Sequence, residues 1–360
     1  MPESTPVEFA VLGCSHPHAR AHVGTLRSTP EVRRIHLWDP ERSAAEALAP
    51  EAGEKLAVAT DDLASLLTND AIGFALVCRE NDVNPETAIQ AAEAGKHIFS
   101  EKPVARGVAE LLPVLEAVRR AGVALGVCYQ WRRHPASVEL RRLRSAGVFG
   151  ELMAVEARMV TSQVKFRNPE HWLFKRERAG GGILSWLGCH WLDLLRFILQ
   201  DEVAAVSAMT GVRGGFPITV EDTAAVAMRW RSGALGTFHA GYHLPLSIPG
   251  YNAASYDGYL AVRGQQGNFW WDPTGSATVV HLESAHPDFL GAPKRELGYD
   301  IEPAKAYGGR YGLEFLREFI ADALAGRPPR AGGEDALRVL QFCEAVQRSQ
   351  ETGRQVELAA

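Results

Sequence analysis

The chain has no CxxC pair, and its 5 cysteines are odd in number and scattered, at Cys14, Cys78, Cys128, Cys189 and Cys343. That pattern excludes a disulfide framework and a structural zinc, and makes a reducing cytoplasm the expected compartment. A basic excess is also missing. Lys and Arg total 38 against 43 Asp and Glu, for a net charge of −5. A polyanion partner needs a concentrated basic surface, so no nucleic acid is expected. Each apolar run is interrupted by Lys, Arg, Asp or Glu before it reaches bilayer length, so no membrane span is expected. The opening Met-Pro-Glu-Ser-Thr-Pro lacks the basic and apolar regions of a signal peptide. Repeats and low-complexity tracts are absent too. What remains is ordinary globular composition, 46% hydrophobic and 22% charged over 360 residues, enough for about two domains.

The first half alternates apolar strands with helices. Val7–Leu12 reads as a strand ending at Gly13, followed by a helix to Leu26 with Pro17 in its first turn. Residues 35–38, 55–59, 72–78, 97–99 and 123–129 read as further strands. Between them, residues 41–49, 61–67, 84–94 and 108–121 read as helices, with Asn84-Pro85 as an N-cap and N1 pair. This alternation means βαβ units and a parallel sheet. Ligands of such sheets sit at the carboxyl ends of the strands. Those ends are Gly13-Cys14-Ser15-His16, Asp39, Cys78-Arg79-Glu80-Asn81, Ser100-Glu101-Lys102-Pro103 and Tyr129-Gln130-Trp131-Arg132. They are expected to converge on one crevice.

The second half changes period. Residues 151–160, 203–210, 223–230, 234–240 and 259–262 read as antiparallel strands, interrupted by a helix over 183–199. Two more helices follow, over 313–325 and 334–349, and the Pro/Gly-rich stretch 244–258 reads as a long loop. The expected fold is α/β: a dinucleotide-binding domain over 1–148, and an α+β domain with an open, mainly antiparallel sheet over 149–360. The C-terminal helices are candidates to pack back on the first domain.

A strand, a turn, a helix and an acidic residue ending the second strand outline a Rossmann dinucleotide fold. The turn keeps only the first glycine of G-x-G-x-x-G; Ser15 and His18 replace the second and third. A helix N-terminus still offers N–H donors to a pyrophosphate. Asp39 can accept hydrogen bonds from the adenosine ribose and would repel a 2′-phosphate, which favours NAD. Arg42, one helical turn on, leaves NADP open.

The segment Ala94-Gly95-Lys96-His97-Ile98-Phe99-Ser100-Glu101-Lys102-Pro103 resembles the Gfo/Idh/MocA oxidoreductase family. Gly180-Gly181-Gly182-Ile183-Leu184 with Gly188-Cys189-His190 and Asp193 is similar to that family's second motif. Val220-Glu221-Asp222-Thr223, Gly326-Arg327-Pro328-Pro329 and Gly333-Glu334-Asp335-Ala336 extend the resemblance over nearly the whole chain. It implies hydride transfer between NAD(P) and a sugar, polyol or related hydroxyl, in a homodimer or homotetramer formed through the C-terminal sheet. It implies that Lys102 lies beside the nicotinamide and the substrate hydroxyl, and that His190 is its proton-transfer partner. Gly13, Cys14, Ser15, His16, Asp39, Cys78, Arg79, Asn81, Glu101, Lys102 and Gln130 are the candidate cofactor residues.

Hydride leaves a carbinol carbon only as its hydroxyl loses a proton, so a base must touch that oxygen. A lysine beside a positively charged nicotinamide suits the task, because its ammonium form is disfavoured there. On the 183–199 helix, Trp186, His190, Asp193 and Phe197 share one stripe. Family dehydrogenases carry an aspartate one turn before the histidine; here that position is Trp186, a candidate to wall the substrate or stack on a sugar face. His171, Trp172 and Asp193 complete the candidate substrate residues. His16, His18, His239 and His243 match no metal spacing, so no metal is expected. Two other readings compete with a dehydrogenase: an NAD-dependent glycosidase acting by transient oxidation and elimination, and a non-catalytic NAD-binding regulator.

Overall fold

A computed structural model describes residues 6–248, 253–275 and 278–359. Six short strands alternate with helices: β1 (Val7–Leu12), α1 (Ala19–Ser28), β2 (Val32–Trp38), α2 (Arg42–Ala52), β3 (Leu56–Thr60), α3 (Leu63–Leu67), β4 (Phe74–Val77), α4 (Asn84–Glu93), β5 (His97–Ser100), α5 (Val108–Ala121) and β6 (Leu125–Val127). Then come α6 (Pro135–Ser145), β7 (Leu152–Thr161), α7 (Arg176–Ala179) and α8 (Cys189–Leu199). The strands β8 (Val203–Gly211), β9 (Thr223–Trp230), β10 (Leu235–Gly241), β11 (Tyr256–Gly264), β12 (Gly267–Trp271), β13 (Thr278–Ser284) and β14 (Lys294–Tyr299) follow, and α9 (Gly309–Leu324), α10 (Gly333–Thr352) and β15 (Val356–Glu357) end the chain.

The chain divides into two compact units. One holds the residues through Arg133 together with Ile301–Leu337; the other holds His134–Asp300 and the residues from Arg338 on. The division departs from a single cut at 148. Helix α6, which the sequence pattern did not single out, groups with the second unit, and α9 groups with the first.

In the first unit the strand order is β3-β2-β1-β4-β5-β6, all parallel. Val7 through Leu12 are buried on both faces, as a strand between two helical layers must be. Pairing runs one step past the strand ends. Gly13 N–H donates to the Trp38 carbonyl (2.9 Å), Cys78 N–H to Leu12 (2.9 Å), Glu101 N–H to Val77 (2.8 Å) and Cys128 N–H to Ser100 (3.0 Å). Register alone therefore lines up Asp39, Gly13, Cys78, Glu101 and Cys128 along one edge of the sheet.

Two expectations need correction here. Helix α1 begins at Ala19 with His18 as its N-cap, so Pro17 lies in the turn before it. Asn84 is inside α4, whose N-cap is Val83. The Asn84 side chain instead accepts from Arg79 N–H (3.1 Å) and donates to Ser100 Oγ (3.2 Å) and the Val104 carbonyl (2.8 Å). Those contacts bind the 100–104 turn, where Val104 stands at φ +77°, an uncommon conformation for a β-branched residue.

The second unit carries nine strands in the order β14-β13-β12-β11-β7-β10-β9-β8-β15. All pairs are antiparallel except β7 with β10. Strand β9 alternates: Ala224, Val226, Met228 and Trp230 are buried, while Ala225, Ala227 and Arg229 face out. One face of the sheet thus meets the core and the other is open. Of the loop expected over 244–258, residues 249–252 lie outside the described residues, and β11 already begins at Tyr256. By length and composition Arg176–Leu199 could cross a membrane, contrary to the sequence expectation. Its apolar part, residues 182–199, is nevertheless wholly buried, and the segment is broken at Gly180–Gly182, which marks it as a core segment. The helix expected over 183–199 is not uniform: Leu184–Gly188 is a π-turn, and the regular α-helix starts at Cys189.

Candidate functional site

In the first unit the dinucleotide turn is shaped by one glycine and one carboxylate. Gly13 has φ +111°, and a Cβ there would fall 2.2 Å from the Cys78 carbonyl oxygen. Only glycine lets β1 turn this close to the tip of β4. Asp39 is buried, and its Oδ2 accepts from Cys14 N–H (2.8 Å), Ser15 N–H (3.0 Å) and Ser15 Oγ (3.0 Å). Its Oδ1 accepts from Glu41 N–H (3.0 Å). Asp39 is therefore first a clamp on the turn, and Oδ1, with one donor, is the oxygen with capacity left for a ribose hydroxyl. Ser15 replaces the second glycine by adding a third donor to that clamp. Arg42, the potential 2′-phosphate partner, is paired with Glu46 (2.9 Å).

The thiols along this edge are neutral. Burial and Asp39 push Cys14 up to about 12, and burial raises Cys78 and Cys128 well above the usual thiol range. They line the crevice and are not nucleophiles. Arg79 lies over the Trp38 ring at 5.2 Å, Asn81 is buried, and Gln130 accepts from Cys128 Sγ at 3.4 Å.

Lys102 is almost wholly buried, and its Nζ is 3.8 Å from Glu101 Oε1. Glu101 is held by two α1 residues: His18 Nδ1 at 3.1 Å from Oε1 and His22 Nε2 at 2.5 Å from Oε2. Burial alone would raise the Glu101 carboxyl; the two histidines outweigh it and hold it well below the usual range. Burial pushes His18 down to about 4. The pair is thus an ionised carboxylate facing a neutral imidazole near pH 7. His16 accepts from His18 N–H at 3.1 Å and is held well below the ordinary histidine range by burial. His22, Glu101 and Cys128 bring three ligand-type atoms within 4.8 Å of one another. The His22–Glu101 contact, however, is at hydrogen-bond length, shorter than the roughly 3.3 Å that two ligands of a tetrahedral zinc keep. His22 and Glu101 are spaced as hydrogen-bond partners, and Cys128 Sγ donates to Gln130.

Sequence reasoning missed His22 and Tyr307. The i,i+4 spacing from His18 could have flagged His22. Tyr307, whose Oη is 3.1 Å from His18 Nδ1, arrives from a segment 289 residues away and carries no local signal.

In the second unit the triple glycine is seated on Glu221. Its Oε1 accepts from Gly182 N–H (2.8 Å) and Leu184 N–H (3.3 Å), and its carbonyl accepts from Ile183 N–H (3.2 Å). A Cβ on Gly182 would fall 1.9 Å from that carbonyl oxygen, and one on Gly181 2.3 Å from Ser185 Oγ. The π-turn then carries Trp186 and delivers His190 on the first turn of α8; Gly188 packs against Phe238 of β10. Mid-helix π-turns are frequent at functional sites. Trp186 and His190 are both buried. Trp172 meets Trp186 edge to face at 6.2 Å, and the His171 ring lies 5.6 Å from Trp172. The structure thus brings His171, Trp172 and Trp186 into one aromatic group. Asp193 is 3.7 Å from Arg196, which forks onto Glu202 at 2.6 and 2.7 Å.

A 3-2-1-4-5-6 parallel sheet with an acidic second-strand tip defines a dinucleotide-binding oxidoreductase fold. Residues 7–129 match the oxidoreductase family model with an NAD-binding Rossmann fold, and residues 137–269 match the GFO/IDH/MocA C-terminal domain. The chain belongs to the Gfo/Idh/MocA family and is an NAD(P)-dependent oxidoreductase. It is 30% identical over 343 residues to a D-xylose dehydrogenase of Paenarthrobacter nicotinovorans, covering 87% of this chain and 84% of that one. It is 27% identical over 338 residues to a 1,5-anhydro-D-fructose reductase of Ensifer adhaerens, covering 93% and 94%. Its fold resembles levoglucosan dehydrogenase in complex with NADH and levoglucosan, with a TM-score of 0.86 at 20% identity over 99% of this chain and 100% of that one.

Proposed function

We propose that the protein oxidises a secondary hydroxyl of a sugar or polyol with NAD, and that Lys102 takes the hydroxyl proton. One observation carries this reading: a buried lysine at the tip of β5, in a Glu-Lys-Pro turn, with its Nζ 3.8 Å from an ionised carboxylate. The names of the relatives support the substrate class. The turn fits the cofactor: Gly13 admits the close turn, Asp39 fixes Cys14 and Ser15, and the amides opening α1 suit a pyrophosphate. Asp39, Gly13–His16, Cys78, Arg79, Asn81 and Gln130 would hold NAD, which supplies the hydride acceptor when bound.

Lys102 removes the hydroxyl proton as the carbinol carbon loses hydride. Glu101 then stabilises the ammonium that forms, and the burial of both groups strengthens that interaction. His190 is the second proton-transfer group of this reading. Trp186 and Trp172 are its apolar wall, suited to a sugar face. Asp39 excludes a 2′-phosphate by charge, favouring NAD over NADP. We further propose a homodimer or homotetramer through the open face of the nine-stranded sheet, where Ala225, Ala227, Leu235 and Met209 are exposed. We place the protein in the cytoplasm, in keeping with its unbridged cysteines.

The test is Lys102→Met, which keeps length and removes the titrating group. Turnover on the preferred substrate should fall by about 10³-fold while NAD affinity stays within a few-fold. Retained turnover would assign the proton to another residue.

A further inference from the structure

Beside Lys102 lies a set of buried titratable side chains that the mechanism above does not use. His18 and His22 come from the start of α1, one helical turn apart. Tyr307 comes from the segment that leads into α9. Its backbone N–H donates to Thr25 Oγ1 of α1 (2.7 Å), and its ring lies 4.8 Å from the His18 ring and 4.7 Å from that of His22. The turn that delivers it needs glycine twice. Gly308 stands at φ +78°, and a Cβ on Gly312 would fall 1.8 Å from the Tyr307 carbonyl oxygen.

We propose that His18, His22 and Tyr307 are positioning residues that hold the Glu101 carboxylate in one orientation beside Lys102, and so set the pH range over which Lys102 takes its proton. This rests on the reading of Lys102 as the proton acceptor. A glutamate side chain free to rotate would present either oxygen, or neither, to the lysine. Here each oxygen has its own histidine: Oε1 faces His18 Nδ1 and Oε2 faces His22 Nε2. Oε1 is also the oxygen 3.8 Å from Lys102 Nζ. His18 Nδ1 is 3.1 Å from both Glu101 Oε1 and Tyr307 Oη, so its one N–H is shared between two acceptor oxygens, and Tyr307, whose ring also lies 4.8 Å from the imidazole, fixes the ring that fixes the carboxylate. His18, His22, Glu101 and Lys102 are each 1–2% exposed, so water does not compete for these contacts.

The groups facing Glu101 come from every neighbouring element. They are His18 and His22 from α1, His16 from the turn before it, Lys102 from its own strand tip, and the neutral thiols of Cys78 and Cys128 from the tips of β4 and β6; Tyr307 acts on it through His18. Losing the histidine donors makes Glu101 easier to protonate. A Glu101 released from its histidines stabilises the Lys102 ammonium less.

The experiment uses NAD and the preferred sugar or polyol, with kcat, KM and NAD affinity measured from pH 5 to 10. Variants are His22→Leu, His22→Gln and Tyr307→Phe. His22→Leu should keep KM and NAD affinity within about threefold and lower kcat at least roughly fivefold. It should also move the acid-side midpoint of kcat down by about half a pH unit or more. Tyr307→Phe should do the same to a smaller extent. His22→Gln, which keeps an N–H donor, should restore the wild-type profile. Profiles that superimpose on wild type for His22→Leu and Tyr307→Phe would overturn the proposal, as would a His22→Gln variant as impaired as His22→Leu. If His22→Leu does not fold, Tyr307→Phe decides. Lys102→Met is assayed alongside. Retained turnover there sinks the Lys102 reading itself, whereas lost turnover with wild-type profiles in the other variants sinks only the positioning role.

Discussion

Each unit organises its candidate site around a buried glutamate, and the two glutamates are pushed in opposite directions. Glu101 accepts from two imidazoles, which outweigh its burial and keep it ionised. Glu221 is also buried, but the groups that oppose that burial are led by the backbone amides of Gly182 and of Glu221 itself, with Arg176 at 3.7 Å and the Leu184 amide adding less; its carboxyl is raised. An anion beside a lysine that must gain a proton has an electrostatic task. A carboxyl that pins a glycine turn has a geometric one, and it performs that task with an acceptor oxygen whether or not it is charged. Burial alone does not mark a functional charge; the partners do.

The comparison is broken most directly by removing each charge at constant shape. Glu101→Gln should lower kcat by roughly 100-fold, because the Lys102 ammonium loses its counter-charge and one histidine loses its acceptor. Glu221→Gln keeps the oxygen that receives Gly182 and Leu184, and should cost less than about tenfold. Equal losses in steady-state kcat would refute the division of labour.

Asp39 supplies a third carboxylate and combines both tasks. Asp39→Ala strips three donors from one oxygen and should weaken NAD and NADP together, by about 100-fold by calorimetry. Asp39→Asn keeps an oxygen for the turn and removes the charge, so it should narrow the preference for NAD over NADP by about tenfold. If Asp39→Ala affects NAD alone, the clamp is not what holds the turn.

Acid should separate the two units' histidines from their carboxyls. Burial pushes His134 down to about 3, and its Nδ1 accepts from Ala136 N–H at the start of α6. His18 is down at about 4. Both have folded values below the unfolded histidine value, so both favour the folded state above pH 6.5 and lose that contribution as pH falls toward 4 and 3. For His134 the full loss is on the order of 5 kcal/mol. Glu101, with its lowered value, withdraws stability below pH 4.5, whereas Glu221, with its raised value, gives some back as pH falls through its folded value. Urea denaturation from pH 7 to 4 should show falling stability, and less so in His134→Asn, which can keep the cap. A flat profile would contradict these directions.

The smallest effect is expected at the aromatic wall. Trp186→Phe should change kcat/KM by about two- to fivefold, since a smaller ring still meets Trp172. Trp186→Asp places a carboxylate at a position 3% exposed and should lower both activity and thermal stability. A gain of activity in Trp186→Asp would identify Trp186 as a lost proton partner and favour a regulator.

The first unit was legible in the sequence because its strands are short, mostly apolar and ended by a residue with a tip role; Val7–Leu12 and Val108–Ala121 fall where the pattern puts them, whereas β2 was read only from residue 35 because Arg33 and Arg34 face out. The EKP and triple-glycine motifs marked Lys102 and His190 for a similar reason: local backbone geometry demands those residues. Strands β12 to β14 were not read, because their inward and outward residues are both bulky, as with Phe269, Trp270 and Trp271. The π-turn at Leu184–Gly188 was hidden because a helical stripe looks alike over one turn at either pitch. Tyr307 was invisible because its role depends on tertiary placement alone.

The central claim, hydride transfer from a carbohydrate hydroxyl with Lys102 as the base, is tested most directly by a sugar and polyol panel with NAD, read by NADH absorbance for wild type and Lys102→Met. NADH should appear in proportion to one class of substrate and vanish in the variant. Release of an aglycone without net NADH, or tight NAD binding with no turnover on any member of the panel, would contradict it.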